Sequence, residues 1–280
     1  MAVYDISGNT IGTNVDSSQF ITKEENLLYD TTILSVNHRG YSTVAPENTL
    51  PAYILSRKMG FNYVETDVSF TSDNVAMLLH DATIDRTSDG SGTLANMTYS
   101  QVRQYDFGSW KSPEYAGTKI PTLEEFLGLC KSIMLHPYIE LKSNGNYTQA
   151  QIASIVDMVW KFGLRGKVTY ISFSNTYLGY VKDNDDEARL GFLSGSASTS
   201  QIATCQALQT GKNQVFYDVG YYNNAITQAI CNAYAAAKIP IEAWTVDSAS
   251  DMLAMNKYVS GITSDNLIAG KVLYDNAMGI

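Results

Sequence analysis

The chain has 280 residues, of which 28 are acidic and 19 basic, for a formal net charge of −9; 45% is apolar and 17% charged. Low charge and ample apolar content exclude a disordered chain, and an acidic balance argues against nucleic-acid binding, which needs basic groups to neutralise phosphate. No run reaches the ~18 uninterrupted apolar residues of a membrane-spanning helix, and the length suits one large domain.

Residues 1–32 are polar, rich in Asn, Thr, Ser and Asp, with short alternating pieces such as Val3–Ile6. They read as an N-terminal arm, weakly β at best, and as the expected route to any self-association. The opening Met-Ala-Val-Tyr-Asp lacks the basic and apolar regions of a signal peptide. A complete chain is therefore expected in the cytoplasm; one trimmed of a targeting segment is expected outside the cell or at its wall.

From residue 33 onward, strand-like and helix-like segments alternate. Apolar runs bounded by turn signals fall at 33–37, 61–68, 136–141, 167–171, 189–193, 213–217, 241–245 and 260–263. The stretch 81–120, after the second strand, holds Gly90, Gly92, Gly108, Pro113 and Gly117. It is too long for an ordinary βα loop and reads as an insertion subdomain over one face. Thr122 and Glu125 have capping-box spacing ahead of a helix over 123–131. At 148–162, Ile152, Ile155, Val156, Val159 and Trp160 form one helical face between a Thr148 cap and a Gly163 stop. A similar stripe predicts a helix over 223–238. Eight strands alternating with helices in ~245 residues predict an α/β fold, a TIM-type (β/α)8 barrel over residues 33–280. Cys130, Cys205 and Cys231 form no C-x-x-C pair and read as small buried hydrophobes.

Chemistry-bearing residues gather at strand ends. Glu65 and Asp67 are two apart in one strand and so share a face, and Glu140 ends the next barrel strand. Two explanations fit these acids: a divalent cation, for which an oxygen-only set suits Mg²⁺ or Ca²⁺, or ion pairs with Lys142 and Arg39. His38 and Arg39 follow the first strand and His80 follows the apolar piece Val75–Leu79, the C-terminal strand ends where barrel active sites assemble. Two histidines beside acids and an arginine suggest an acid/base pair. His136, opening a strand at the opposite face, reads as structural. Arg39, Lys142 and a cation together describe a site for phosphate.

The ordered motifs resemble those of glycerophosphodiester phosphodiesterases: Asn37-His38-Arg39-Gly40, Ala45-Pro46-Glu47-Asn48-Thr49, Glu65-Thr66-Asp67-Val68 and His80-Asp81-Ala82-Thr83-Ile84-Asp85-Arg86-Thr87. The resemblance continues through Gly90-Ser91-Gly92, Ile120-Pro121-Thr122-Leu123-Glu124-Glu125, Ile139-Glu140-Leu141-Lys142, Ala243-Trp244-Thr245-Val246-Asp247 and Gly261-Ile262-Thr263-Ser264-Asp265, spanning residues 33–270. It implies metal-dependent hydrolysis of glycerophosphodiesters to sn-glycerol 3-phosphate and an alcohol. By the same resemblance, Glu65, Asp67 and Glu140 bind one Mg²⁺ or Ca²⁺, His38 and His80 act as general acid and base, and Arg39 and Lys142 hold the phosphate. An internal attack by the glycerol 2-hydroxyl is the expected first step, since an attached nucleophile saves the entropy of recruiting a second reactant.

Other residues have two readings each. Glu47 orients Arg39 or a histidine, or is a plain helix-start acid. Asp81 orients His80 or serves a turn. Trp244 and Phe173 wall the substrate's carbons or simply pack. Asp85 and Arg86 hold the insertion together, and Tyr217–Tyr222 lines the mouth. Three alternatives stand beside the phosphodiesterase. A related barrel phospholipase on lysolipids or sphingolipids needs an exposed apolar rim, for which the insertion offers Tyr99, Tyr105, Phe107, Trp110 and Tyr115. A teichoic-acid glycerophosphodiesterase requires export. A non-catalytic binding domain of a larger assembly predicts a lost catalytic residue, whereas both histidines and all three acids are present.

Overall fold

The computed structural model describes residues 3–4, 10–12, 34–221, 226–255 and 258–266. Of the arm, β1 (Val3–Tyr4) and β2 (Thr10–Gly12) form an antiparallel pair; the rest of residues 1–32, and with it the expected self-association, lies outside the described residues. None of the described helices is long and apolar enough to cross a membrane.

Eight parallel strands form the barrel: β3 (Leu34–Asn37), β4 (Tyr63–Phe70), β6 (His136–Leu141), β7 (Thr169–Ser172), β8 (Arg189–Ser194), β9 (Gln214–Gly220), β10 (Ile241–Trp244) and β11 (Gly261–Ser264). β3 pairs with β4 on one side and with β11 on the other, which closes the ring. The short β5 (Ala76–Leu78) lies antiparallel on β4 and is not a barrel stave. Around the ring run α1 (Leu50–Lys58), α2 (Tyr99–Val102, within the insertion), α3 (Leu123–Ile133), α4 (Gln149–Lys161), α5 (Asn175–Asn184), α6 (Ile202–Leu208), α7 (Gln228–Ala236) and α8 (Ala249–Met255).

Alternation sorts the side chains. In β9, Val215, Tyr217 and Val219 join the large cluster beneath the helices, whereas Phe216 packs with Val36, Tyr138, Ile171 and Leu193 on the barrel axis. Tyr217 thus stacks on Tyr234 of α7, ring centroids 4.6 Å apart, and does not reach the mouth; Tyr222 lies outside the described residues. Helix ends follow local chemistry. Thr122 and Glu125 form the capping box that starts α3, and Gly163, at φ +69°, follows the end of α4. α7 starts later than its apolar stripe, because the Thr227 hydroxyl caps it by accepting from the Ile230 amide. Cys130 and Cys205 are buried and Cys231 half-buried.

Residues 79–122 carry a core of their own, built from Leu79, Ile84, Leu94, Val102, Phe107 and Ile120 with Met77 of β5. Asp106 ties this segment by accepting from the amides of Gly108, Ser109 and Gly117. Gly108 is required there, since a Cβ would lie 1.8 Å from the Tyr115 carbonyl oxygen.

Candidate active site

The C-terminal ends of the strands surround a cavity of about 330 Å³ lined on one side by His38, Arg39, Glu65, His80, Glu140 and Lys142. The opposite side is mostly apolar, with Ile171, Phe173, Leu193 and Trp244 beside Asp218, Thr245 and Thr263. Local backbone geometry sets the first part. Directly after β3 the chain turns through Arg39 (φ +56°) and Gly40 (φ +79°). Gly40 passes so near α1 that a Cβ would lie 2.8 Å from that of Ala52. The turn aims the Arg39 amide at Glu65 Oε2, 2.9 Å away.

Glu65, Asp67 and Glu140 project into the barrel from β4 and β6, and one oxygen of each lies within 4.8 Å of the others. Register explains the grouping, because Asp67 stands opposite Glu140. All three are buried, and Glu65 Oε1 has no hydrogen-bond partner among the described residues. Crowding splits their acidities. Burial, then the charge of Asp67, pushes Glu65 up to about 8 and Glu140 up to about 7. Asp67, though equally buried, is held well below the usual carboxylate range by Lys142 and Arg39. Lys142 Nζ lies 3.2 Å from Asp67 and 3.0 Å from Glu140, and Arg39 Nε lies 3.3 Å from Asp67. Both explanations of the acid cluster therefore meet here: the cations partner Asp67 and Glu140, and one oxygen of Glu65 remains unpartnered.

Each histidine rests on a carboxylate. His38 Nδ1 lies 2.8 Å from Asp265 Oδ1 and His80 Nδ1 lies 2.7 Å from Asp81 Oδ1. A carboxylate only accepts, so Nδ1–H donates in both cases and Nε2 is left as the working nitrogen. His38 Nε2 stands 3.9 Å from Glu65. Burial works to lower the pKa of both rings. Asp265 and Glu65 outweigh it at His38, which ends up raised, while His80 ends up lowered. His136 sits at the opposite end of the barrel against Tyr63, ring centroids 5.1 Å apart.

Around these groups lies a net of ion pairs. Glu47 Oε1 accepts from Arg39 Nη1 at 2.9 Å, and no acid occupies the first turn of α1. Arg86, from the insertion, donates to both oxygens of Glu47 and through Nε to Asp81. Asn48, at φ +54°, donates to Asp67 Oδ2 at 2.9 Å and accepts from the Asp67 amide and from the Tyr53 and Thr66 hydroxyls. Phe173 and Trp244 meet edge to face, centroids 5.6 Å apart, on the apolar wall. The structure thus brings together His38, His80, Glu65, Asp67, Glu140, Arg39 and Lys142, with Glu47, Asp81, Trp244 and Phe173 around them. Sequence reasoning missed Asp265, Asn48 and Asp218. The first two lay inside quoted motifs; Asp218, a lone acid in the apolar run Val215–Val219, was the available signal for the third.

A model of the glycerophosphoryl diester phosphodiesterase family matches residues 38–269. A glycerophosphodiester phosphodiesterase of Bacillus subtilis is 35% identical over 166 residues, 55% of this chain and 56% of that protein. One from Caldanaerobacter subterraneus subsp. tengcongensis is 28% identical over 237 residues, 83% of this chain and 94% of its own length. Among solved structures, the fold is shared with a glycerophosphodiester phosphodiesterase of Agrobacterium tumefaciens (TM-score 0.72, 24% identity, 86% of this chain and 99% of that one). It is shared also with a phosphodiesterase of Oleispira antarctica, solved in complex with the product sn-glycerol-3-phosphate (TM-score 0.74, 23% identity, 90% and 99% covered).

Proposed function

The chain belongs to the glycerophosphoryl diester phosphodiesterase family, and on that footing we propose that its barrel mouth hydrolyses glycerophosphodiesters to sn-glycerol 3-phosphate and an alcohol. The observation that carries this reading is a single cavity lined by two carboxylate-held imidazoles, two cations and the acids Glu65 and Glu140, with Asp67 clustered against them. That set of groups suits displacement at a phosphodiester.

Glu65, Asp67 and Glu140 are the residues that would hold a divalent cation, Mg²⁺ or Ca²⁺. The donor set fits: it is oxygen-only, buried and close-set, and the unpartnered Glu65 oxygen is a costly arrangement without a cationic partner. Bound there, the cation supplies Lewis-acid stabilisation to the phosphoryl oxygens. Arg39 and Lys142 bind the phosphate and draw off the charge that builds on it as the bond to the leaving group breaks. One imidazole takes a proton from the attacking hydroxyl, and the other delivers a proton to the departing alkoxide oxygen, both through Nε2. With the glycerol 2-hydroxyl as nucleophile, its oxygen bonds to phosphorus as the alcohol leaves. Water then opens the resulting cyclic phosphate.

The lysolipid reading is less well supported. The insertion's aromatics do not form a continuous exposed apolar rim: Phe107 and Tyr115 are buried and Tyr99 and Tyr105 pack on the insertion's own core, which leaves Trp110 as the exposed one of the five, with the Lys111 ammonium 5.8 Å from its ring centroid. The test is release of sn-glycerol 3-phosphate from a panel of glycerophosphodiesters, lysolipids and polyglycerol phosphate. Turnover of glycerophosphodiesters is expected, and its absence across the panel overturns the proposal. Detection of a cyclic glycerophosphate tests the internal nucleophile; direct entry of ¹⁸O from water in one displacement removes it.

A further inference from the structure

The apolar half of the cavity contains one carboxyl that the proposed chemistry leaves unused. Asp218 of β9 is 1% exposed, yet it lines the cavity beside Ile171, Leu193 and Trp244. Its Oδ1 is wholly buried and has no hydrogen-bond partner among the described residues. The neighbouring groups are already engaged. Opposite Asp218 in the sheet stand Leu193, which is apolar, and Glu242. Glu242 is ion-paired with Arg189 and 3.3 Å from the Tyr138 hydroxyl. The Arg189 guanidinium also donates to Tyr138 and Thr169 and lies 4.2 Å over the Phe216 ring. A buried carboxyl without a partner costs stability, and such costs persist where they serve function. Burial and the charge of Glu242 push its pKa well up, which favours the neutral acid, with one O–H to give and lone pairs to receive. Trp244 Nε1, on the adjacent strand, is a second buried group without a partner, and it can only donate. An alcohol both donates and accepts, and its carbons suit the surrounding Ile171, Phe173 and Leu193.

We propose that Asp218 determines specificity by hydrogen-bonding a hydroxyl of the substrate's glycerol arm, while the apolar wall covers that arm's carbons. The inference rests on the reading of the cavity as a phosphodiester site, and its test separates the two. Calorimetric titration of the Mg²⁺- or Ca²⁺-supplemented protein compares sn-glycerol 3-phosphate with ethyl phosphate, which lacks the hydroxyls. The wild type is expected to prefer sn-glycerol 3-phosphate by about tenfold or more, and Asp218→Leu, which can neither donate nor accept, to reduce that preference to within about twofold with ethyl phosphate binding unchanged. Because the carboxyl is unpaired, ligand-free Asp218→Leu is expected to melt no lower than the wild type. Preserved preference in Asp218→Leu, equal loss for both ligands, or a melting temperature lowered by several degrees overturns the proposal. Wild-type binding of both ligands alike overturns the Asp218 assignment alone, whereas binding of neither overturns the phosphodiester reading and this inference with it.

Discussion

His38 and Asp265 are 227 residues apart in the chain, yet Nδ1 of one lies 2.8 Å from Oδ1 of the other. Ring closure makes the contact: Asn37 stands opposite Ser264 where the first and last barrel strands pair, and the His38 amide donates to the Ser264 carbonyl. Asp265→Asn is expected to lower kcat on the order of 10²-fold with the fold intact, since orientation of the imidazole is lost and its chemistry is not. The sign of the pH effect is fixed. Asp265 raises the pKa of His38, so the limb of the pH–rate profile belonging to His38 should move to lower pH. A profile identical to that of the wild type would show that Asp265 does not set the imidazole's state.

Removing either ring is more severe. His38→Ala and His80→Ala are expected to cut kcat by about 10²–10⁴-fold with unchanged circular dichroism. Near-wild-type turnover in either variant would remove that histidine from the proposed chemistry.

Arg86 is a joint between the insertion and the mouth. It donates to both oxygens of Glu47 at 2.7 and 2.8 Å and to Asp81 at 2.7 Å, and these acids in turn hold Arg39 and His80. Arg86→Ala is therefore expected to lower kcat about 10–100-fold, the range for losing a residue that orients working groups. Its side chain is partly exposed, so the melting temperature should hardly move. Arg86→Lys should rescue little, because an ammonium cannot form the fork on Glu47.

Chelation tests the acid cluster. Treatment with EDTA should abolish activity, and added Mg²⁺ or Ca²⁺ should restore it. A readout independent of turnover is thermal: a cation that binds only the folded protein raises the melting temperature, by a free energy of about 2.7 kcal/mol at a hundredfold excess over Kd. Glu65→Gln should eliminate that rise. A rise that persists in Glu65→Gln places the cation elsewhere.

Asn48 carries a structural load beneath the site. Its side chain makes hydrogen bonds with the Asp67 carboxylate and amide and with the Tyr53 and Thr66 hydroxyls, all buried. Asn48→Ala leaves these groups short of partners and places alanine at φ +54°. The expected loss is about 2–4 kcal/mol, read as a lower denaturation midpoint at unchanged m.

Much of this was legible in the chain because two regular signals coincide in it. Apolar runs at strand length, separated by helical stripes, predict the barrel, and the motifs at the strand ends carry the chemistry. What escaped was of a different kind. Asp265 acquires its role from ring closure, which no local pattern encodes. Arg86 reads as an insertion residue, which it is, and only the folded insertion shows that it reaches Glu47. Asp218 sits in an apolar run whose inward and outward positions become distinct once the barrel axis is known. Tyr217 faces the helices for the same reason.

One consequence follows from how the cavity wall is divided. The groups assigned to bond-making, from His38 to Lys142, come from residues 38–142, while Ile171, Phe173, Leu193, Asp218 and Trp244 come from residues 171–244. Reaction and recognition are thus inherited on separate stretches of sequence. Drift in the second stretch can retarget the catalyst to a new alcohol or polyol without reinventing how the ester is broken.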